Sequence, residues 1–112
     1  MKRIEAIIRP EKIDAVRRAL EKVGYAGLMV SEIEGHGRQK GVTQQWRGEK
    51  YKVDFLPKVK IEMIIKNGDT ERIVKTIIEN AKTGEIGDGK IFISSVDDAI
   101  RIRTGEKGES AV

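Results

Sequence analysis

Apolar residues recur with two different periods along the chain, and these periods predict its helices and strands. In residues 2–9 and 59–66 every second residue is apolar, which is typical of β-strands. In residues 11–23 and 70–82 the apolar positions recur every three or four residues, which is typical of amphipathic helices, and Gly24 follows the first as a C-terminal stop. Weaker alternation predicts further strands at 27–36, 90–96 and 99–103.

The order of these elements is strand, helix, strand, strand, helix, strand, followed by a short last strand. This order predicts an α+β fold of the ferredoxin-like (βαββαβ) type, with one antiparallel sheet and both helices on one face. A length of 112 residues fits a single domain, 1–112. Ile7 and Ile64 fall on the sheet face away from the helices. Because an exposed apolar face marks an interface, we expect a homo-oligomer.

Composition excludes several kinds of chemistry. The chain has no cysteine and one histidine, which excludes disulfides, thiolate zinc sites, cysteine nucleophiles and multi-histidine metal sites. No apolar run approaches the ~20 residues of a membrane span, and the first residues lack the apolar region of a signal peptide, so we expect a cytoplasmic protein. The 22 basic and 18 acidic residues are interspersed, which favours a solvated mixed surface.

Residues 37–57 join two predicted strands without clear periodicity. Connections longer than about 12–15 residues are seldom structureless in a compact domain unless they are functional or disordered. The segment contains Trp46, Tyr51 and Phe55, three of the five aromatic residues in the chain, beside several cations. This content favours a partner-docking segment. The alternative is a long β-hairpin that extends the two flanking strands.

Residues 84–90 read G-x-x-x-x-G-K, the first seven positions of a P-loop. Glycine backbones there can approach phosphate oxygens, and Lys90 supplies a positive charge. Ile91 stands where a P-loop NTPase has the Mg²⁺-binding hydroxyl, and a strand follows where the P-loop needs a helix. The motif therefore predicts either a nucleotide-holding loop that does not hydrolyse its ligand or a simple tight turn.

Arg101 and Arg103 lie two residues apart on the predicted last strand and so share a face. Such a pair alone is usually solvated. Together with Arg38, Lys40, Lys58 and Lys90, it would neutralise a polyphosphate beside the glycine motif.

These motifs closely resemble those of the PII signal-transduction proteins of the GlnB/GlnK class, and the resemblance extends over residues 1–112. Residues 83–93 (TGEIGDGKIFI) match the family's second signature at every constrained position. Residues 46–51 (WRGEKY) match its loop signature at Arg47, Gly48 and Tyr51, and differ at the other three positions.

The resemblance implies a homotrimer that binds ATP or ADP between subunits, with a T-loop at about 37–55, a B-loop at about 82–90 and a C-loop at about 102–108. The residues it assigns to ATP or ADP are Gly27, Met29, Gly37, Arg38, Gln39, Glu62, Ile64, Gly87, Asp88, Gly89, Lys90, Arg101 and Arg103. Those it assigns to 2-oxoglutarate are Gln39, Lys40, Gly41 and Lys58, with Mg²⁺ on ATP held by the Gln39 side chain.

The resemblance also implies a regulator rather than an enzyme. Arg47 looks like the residue that enters the pore of an Amt-family ammonium transporter, which would bring the protein reversibly to the membrane. Tyr51 looks like the family's uridylylation site. The alternative partners are glutamine synthetase, a nitrogenase regulator and a uridylyl- or adenylyltransferase.

Two other classes of function fit the sequence less well. An RNA-recognition module shares the predicted fold, but it needs two or three aromatic residues on its central strands, where this chain has Phe92 alone. A small NTPase would need a Mg²⁺-binding hydroxyl in place of Ile91 and a candidate base near the loop.

Overall fold

The structure, a computed structural model, describes residues 1–35, 42–46, 49–53 and 56–112, and for 34–35, 42–46, 49–53 and 56 it describes the backbone alone. The strands are β1 (Lys2–Ile8), β2 (Met29–Gly35), β3 (Val42–Trp46), β4 (Glu49–Val53), β5 (Leu56–Ile65) and β6 (Lys90–Ser95), and the helices are α1 (Ile13–Lys22) and α2 (Thr70–Ala81). Short 3₁₀ turns, Pro10–Lys12 and Asn67–Asp69, lead into the two helices.

Four strands form an antiparallel sheet in the order β2-β5-β1-β6. β1 lies inside the sheet, where Ala6 is opposite Ile61 of β5 on one side and Ile91 of β6 on the other. β2 pairs with the far side of β5, where Val30 is also opposite Ile61. Strands β1 and β2 are therefore separated by β5, as two interleaved βαβ units require. The prediction of a ferredoxin-like α+β fold is confirmed.

Both helices pack on one face of this sheet. The buried apolar side chains occupy alternate strand positions and one stripe of each helix: Ile4, Ala6, Ile8, Val16, Leu20, Val59, Ile61, Met63, Ile65, Ile73, Ile77 and Ala81. Outside this core, the Tyr25 hydroxyl, just beyond α1, donates a hydrogen bond to Asp69 at the start of α2. This bond fixes the end of one helix against the beginning of the other. None of the helices in the described ranges is long and apolar enough to cross a bilayer.

The opposite face, which we call the open face, is not covered by either helix. One row across it places Met29, Glu62, Glu5 and Phe92 side by side on the four strands. Met29 and Phe92 are 56% and 55% exposed. Glu5 and Glu62 face each other in this row, and Arg3 pairs with Glu5 at 2.9 Å and compensates its charge. The features are those of a surface that is covered in an assembly.

Residues 37–57 contain a feature that the periodicity did not predict. β3 and β4 form a separate two-stranded antiparallel sheet, in which Val42 is opposite Val53 and Trp46 is opposite Glu49. The alternative of a β-hairpin is therefore confirmed. The hairpin forms a sheet of its own, whereas the alternative expected it to extend the two flanking strands. The prediction of a docking role for this segment stays a prediction.

The predicted last strand at 99–103 is wrong. The Arg101 amide donates to the Glu106 carbonyl at 2.8 Å, and the Gly105 amide donates back to the Arg101 carbonyl at 2.7 Å. Only an isolated bridge between Ile100 and Lys107 has strand character in the segment that follows β6. The chain therefore turns back on itself here, and Arg101 and Arg103 do not share a strand face.

Candidate functional site at the glycine loop

The segment between α2 and β6, residues 82–89, is a tight loop that we call the glycine loop. The Asp88 carboxylate closes it from inside. It accepts hydrogen bonds from the amides of Thr83 and Gly84, both at 2.9 Å, and from the Thr83 hydroxyl at 2.5 Å. Three donors on one carboxylate tie the two ends of the loop together. The loop is therefore held in shape by its own side chain.

Two cations fasten the glycine loop to the sheet. Arg9 follows β1, and its Nε donates to Asp88 Oδ1 at 3.1 Å while its Nη2 donates to the Ile86 carbonyl at 3.0 Å. Lys58 Nζ donates to the Gly87 carbonyl at 2.5 Å. Arg9 and Lys58 can act together because Ile8 is opposite Val59 at this end of the β1–β5 ladder, which brings the next pair of side chains to the open face.

Gly89 allows the loop to pass close to β1. Its φ is +100°, a left-handed conformation that other residues rarely adopt. A Cβ atom at this position would also overlap the carbonyl oxygen of Ile7. Gly89 is thus required both by its backbone conformation and by the absence of space.

The hydrogen bonds of the loop shift two pKa values. The Thr83 hydroxyl, together with the amides of Gly84 and Thr83 and the Arg9 guanidinium, holds the pKa of Asp88 well below its usual range, and these bonds outweigh the opposing effect of burial. Burial, followed by the nearby charge of Arg9, lowers the pKa of Lys58, whose side chain is 7% exposed. The carboxylate of Asp88 is therefore ionised and closes the loop, and the predicted role of Asp88 in binding the nucleotide stays a prediction.

The geometry of the loop suits an anion. The backbone amides of Gly87 and Gly89 donate no hydrogen bond to any of the described residues. Lys90 is exposed at the start of β6, opposite Ile7 on the open face, one row from Lys58. Free backbone amides in a left-handed turn, with cations beside them, form the kind of concavity that binds phosphate.

The residues predicted to contact adenosine lie further along the open face from the glycine loop. Glu62 is opposite Met29, and Ile64 follows one row further, while Gly27 precedes β2 at the same end. Lys58 and Ile64 are separated by six residues of one strand, which corresponds to about 20 Å. Within one chain, the glycine loop and the predicted adenosine residues are therefore apart.

The two predicted phosphate arginines lie in the C-terminal turn. The Val96 amide donates to the Met1 carbonyl at 3.1 Å, so the chain leaves the sheet at the end distant from the glycine loop. Arg101 is engaged by Glu106 at 3.3 Å and by the Ser110 carbonyl at 3.2 Å, and Arg103 is exposed. Within the part of the chain that the structure describes, no hydrogen bond or ion pair joins either arginine to the glycine loop.

Several predicted site residues lie in the part of the chain for which no side chain is described. Those outside the described residues are Gly37, Arg38, Gln39, Lys40, Gly41 and Arg47. Tyr51 lies on β4, where the backbone alone is described, opposite Gln44. Their predicted roles stay predictions.

An apolar cavity of about 170 Å³ lies between β6 and α2, next to Gly89 and Lys90. Pockets for drug-sized ligands usually measure about 300–1,000 Å³, and Ile77 and Ile78 of α2 give this one an apolar wall. In a single chain this cavity is therefore smaller than the pockets that usually hold ligands of this size.

Sequence reasoning missed Arg9 as a site residue. Its partners Ile86 and Asp88 are more than 75 residues away in the chain, and charged residues at strand ends are usually solvated. A weak signal was present, because the alternation of β1 places Arg9 on the open face next to Lys58.

Fold and loop together define a class: a ferredoxin-like protein whose sheet carries a hydrogen-bonded glycine-rich loop, bordered by cations, at one end of an uncovered face. The chain belongs to the nitrogen regulatory protein P-II family, whose family model matches residues 1–106. It is similar to "Nitrogen regulatory protein P-II 2" of Methanothermobacter thermautotrophicus, with 54% identity over 112 residues, which is the whole chain and 97% of the relative.

Two bacterial relatives match over the full length of both chains. The nitrogen regulatory protein P-II of Cereibacter sphaeroides is 57% identical over 112 residues, and that of Rhodospirillum rubrum is 54% identical over 112 residues. The resemblance to PII proteins in the sequence is thereby confirmed. The chain is a nitrogen regulatory PII protein of the signal-transduction family.

Proposed function

We propose that this protein is a homotrimeric sensor of ATP or ADP and of 2-oxoglutarate, and that it controls an Amt-family ammonium transporter through residues 37–55. In this proposal residues 37–55, 82–90 and about 102–108 act as the T-, B- and C-loops. The protein binds nucleotide without using it as a substrate, because Ile91 replaces the hydroxyl that would hold catalytic Mg²⁺.

The observation that carries the proposal is the build of the glycine loop. Asp88 closes it, Arg9 and Lys58 fasten it, and Lys90 stands beside it. A loop that is already shaped needs no ordering when its ligand arrives, so little binding energy is lost. This build favours a dedicated phosphate-binding loop over a simple turn.

The spatial separation of the predicted nucleotide residues supports a site between subunits. Along β5, Lys58 beside the glycine loop is about 13 Å from Glu62 and about 20 Å from Ile64, two of the predicted adenosine residues. If open faces of neighbouring chains pack together, the glycine loop of one chain meets Glu62 and Met29 of the next. The exposed apolar row that contains Met29 and Phe92 would be covered in the same assembly.

In this proposal, 2-oxoglutarate binds to the Lys58 side chain. This side chain is nearly buried and lies beside the glycine loop, where a second anion could reach it. Gln39, Lys40 and Gly41 would complete the 2-oxoglutarate site, with Gln39 also holding the Mg²⁺ of ATP. Ligand binding would then shift the population of shapes of residues 37–55 that partners recognise.

Calorimetric titration tests the proposal. We expect 2-oxoglutarate to bind when Mg²⁺ and ATP are present and not when ADP replaces ATP. Lys58→Met should remove the 2-oxoglutarate response, whereas Lys66→Met, which removes an equal charge from an exposed position just after β5, should retain it. A wild-type protein that binds neither nucleotide would refute the proposal.

The partner is tested separately. Arg47→Ala should abolish binding to an Amt-family transporter and leave the affinity for ATP unchanged, because Arg47 is assigned to the partner and not to the nucleotide. Lys52→Ala removes a charge from the same segment and should weaken transporter binding less. If transporter binding survives in Arg47→Ala, the partner assignment is wrong.

Uridylylation of Tyr51 would act on the same segment by adding bulk and charge.

A further inference from the structure

Arg9 follows β1, a position where a charged side chain is usually solvated, but its guanidinium is instead largely buried and bound to the glycine loop. Its side chain is 13% exposed and donates in two directions, to the Asp88 carboxylate at 3.1 Å and to the Ile86 carbonyl at 3.0 Å. A rigid fork of donors can hold two acceptors in a fixed relation, which a lysine cannot do. Arg9 thus fixes both a side chain and the backbone of the glycine loop.

The charge of Asp88 is the reason why the two hydrogen bonds from Arg9 would matter for the binding of an anion. Its carboxylate holds Thr83 and Gly84 in place, but it is also a negative charge beside the amides that face a phosphate. The ion pair with Arg9 neutralises that charge where it stands. Without the guanidinium, the loop would lose its tie to the end of β1, its internal hydrogen bonds would open more often, and it would present an uncompensated carboxylate to its ligand.

We infer that Arg9 is a positioning residue for phosphate binding, which sets the glycine loop against β1 and neutralises Asp88 without touching the ligand. The inference rests on the proposed function, because it assigns Arg9 a role in that nucleotide site. Lys58 is the complementary tie, since it holds the Gly87 carbonyl from β5. The two ties turn the carbonyls of Ile86 and Gly87 toward the sheet.

The test compares ATP affinity in wild type, Arg9→Gln, Arg9→Lys and the control Arg17→Gln. Arg17 pairs with Asp14 on the exposed surface of α1, so its replacement makes the same change in net charge at a distance from the loop. Titration calorimetry with Mg²⁺ and ATP gives the dissociation constants. Hydrogen exchange of the ligand-free proteins reports on the loop, with the Ile77 amide in α2 as an internal reference.

We expect Arg9→Gln to weaken ATP binding roughly ten- to a hundredfold, the range of a lost hydrogen bond to a charged group. Arg9→Lys should recover part of the affinity, because it restores the charge and not the fork. Exchange of the Thr83 and Gly84 amides should accelerate in Arg9→Gln, while the Ile77 amide stays protected. Arg17→Gln should match wild type in both measurements.

Two failures are distinguishable. If wild type binds ATP and Arg9→Gln binds it equally well, the inference is overturned and the proposed function stands. If wild type binds neither ATP nor ADP, both fall. If Arg9→Gln does not fold, Arg9→Lys decides: an ATP affinity and a Thr83 exchange rate equal to those of wild type would show that the fork is unnecessary, and intermediate values would support it.

Discussion

The close approach of Gly89 to β1 gives a stability prediction with an internal control. Gly89→Ala places a Cβ where the Ile7 carbonyl oxygen lies, at a backbone φ of +100°. A side chain in a left-handed conformation costs about 1–2 kcal/mol. Relieving the overlap requires a backbone shift where β6 begins to pair with β1, which costs about 1–3 kcal/mol more if it resembles overpacking of a core. Before any effect on the unfolded chain, these two costs sum to about 2–5 kcal/mol.

Gly84→Ala is the matched control because Gly84 lies in the same loop and has a similar positive φ. Its φ is +90°, but a Cβ there would meet nothing within 4 Å. Both replacements also restrict the unfolded chain, which stabilises each by about 0.4–1 kcal/mol. These shared contributions cancel in the comparison. Gly89→Ala should therefore be less stable than Gly84→Ala by about 1–3 kcal/mol, the cost of the overlap alone.

Urea unfolding followed by circular dichroism measures this difference, with both variants at one protomer concentration and without nucleotide, since ligand or assembly would add stability by mass action. The slopes of the two transitions should agree, because neither change alters the surface exposed on unfolding. Equal losses in the two variants would refute the reasoning, since they would show that the loop does not pass close to Ile7 in solution.

Three further predictions concern side chains whose contacts are local. Asp88→Asn should destabilise the protein by about 1–3 kcal/mol at pH 7. Because the pKa of Asp88 is lowered in the fold, wild type should lose this advantage as the pH falls below about 4. Urea unfolding at a series of acidic pH values measures both effects. Tyr25→Phe should cost about 1 kcal/mol; burial and then the bond to Asp69 raise the pKa of Tyr25, so its contribution is present below about pH 10 and is lost above it in alkaline unfolding. Ile77→Ala should cost about 2–5 kcal/mol in thermal unfolding, because the side chain is buried between α2 and the sheet and would leave a cavity.

The fold was predictable where a long segment buries one continuous stripe. In α2 the spacing of Ile73, Ile77 and Ala81 predicts the side that faces the sheet, and all three are buried. β5 is also predictable, since Ile61, Met63 and Ile65 are buried. The burial of these residues follows from one periodic apolar face and does not depend on contacts with residues far away in the chain. The sequence alone therefore predicts it.

Short segments are less predictable because local hydrogen bonds compete with the sheet. The alternation Ile-Arg-Ile-Arg at 100–103 is typical of a strand. However, Asp98 accepts hydrogen bonds from the amides of Ala99 at 2.8 Å and Gly108 at 3.0 Å, and Gly105 has a φ of +74°. These contacts close a turn instead. In β3, polar residues at 43–45 hide the period of a strand, whose pairing with β4 is set by the backbone.

The candidate site divides in the same way. Gly87, Gly89 and Lys90 were predictable because a phosphate-binding turn needs those residue types in that local order. The contacts that shape the turn were not, since Arg9 follows β1 and Lys58 lies on β5, and these segments meet the loop only after the sheet has formed. The carboxylate of Asp88 belongs to the glycine motif, and its partners show that it closes the loop. A motif therefore identifies which amides can bind an anion, while the fold determines which charges hold those amides in place.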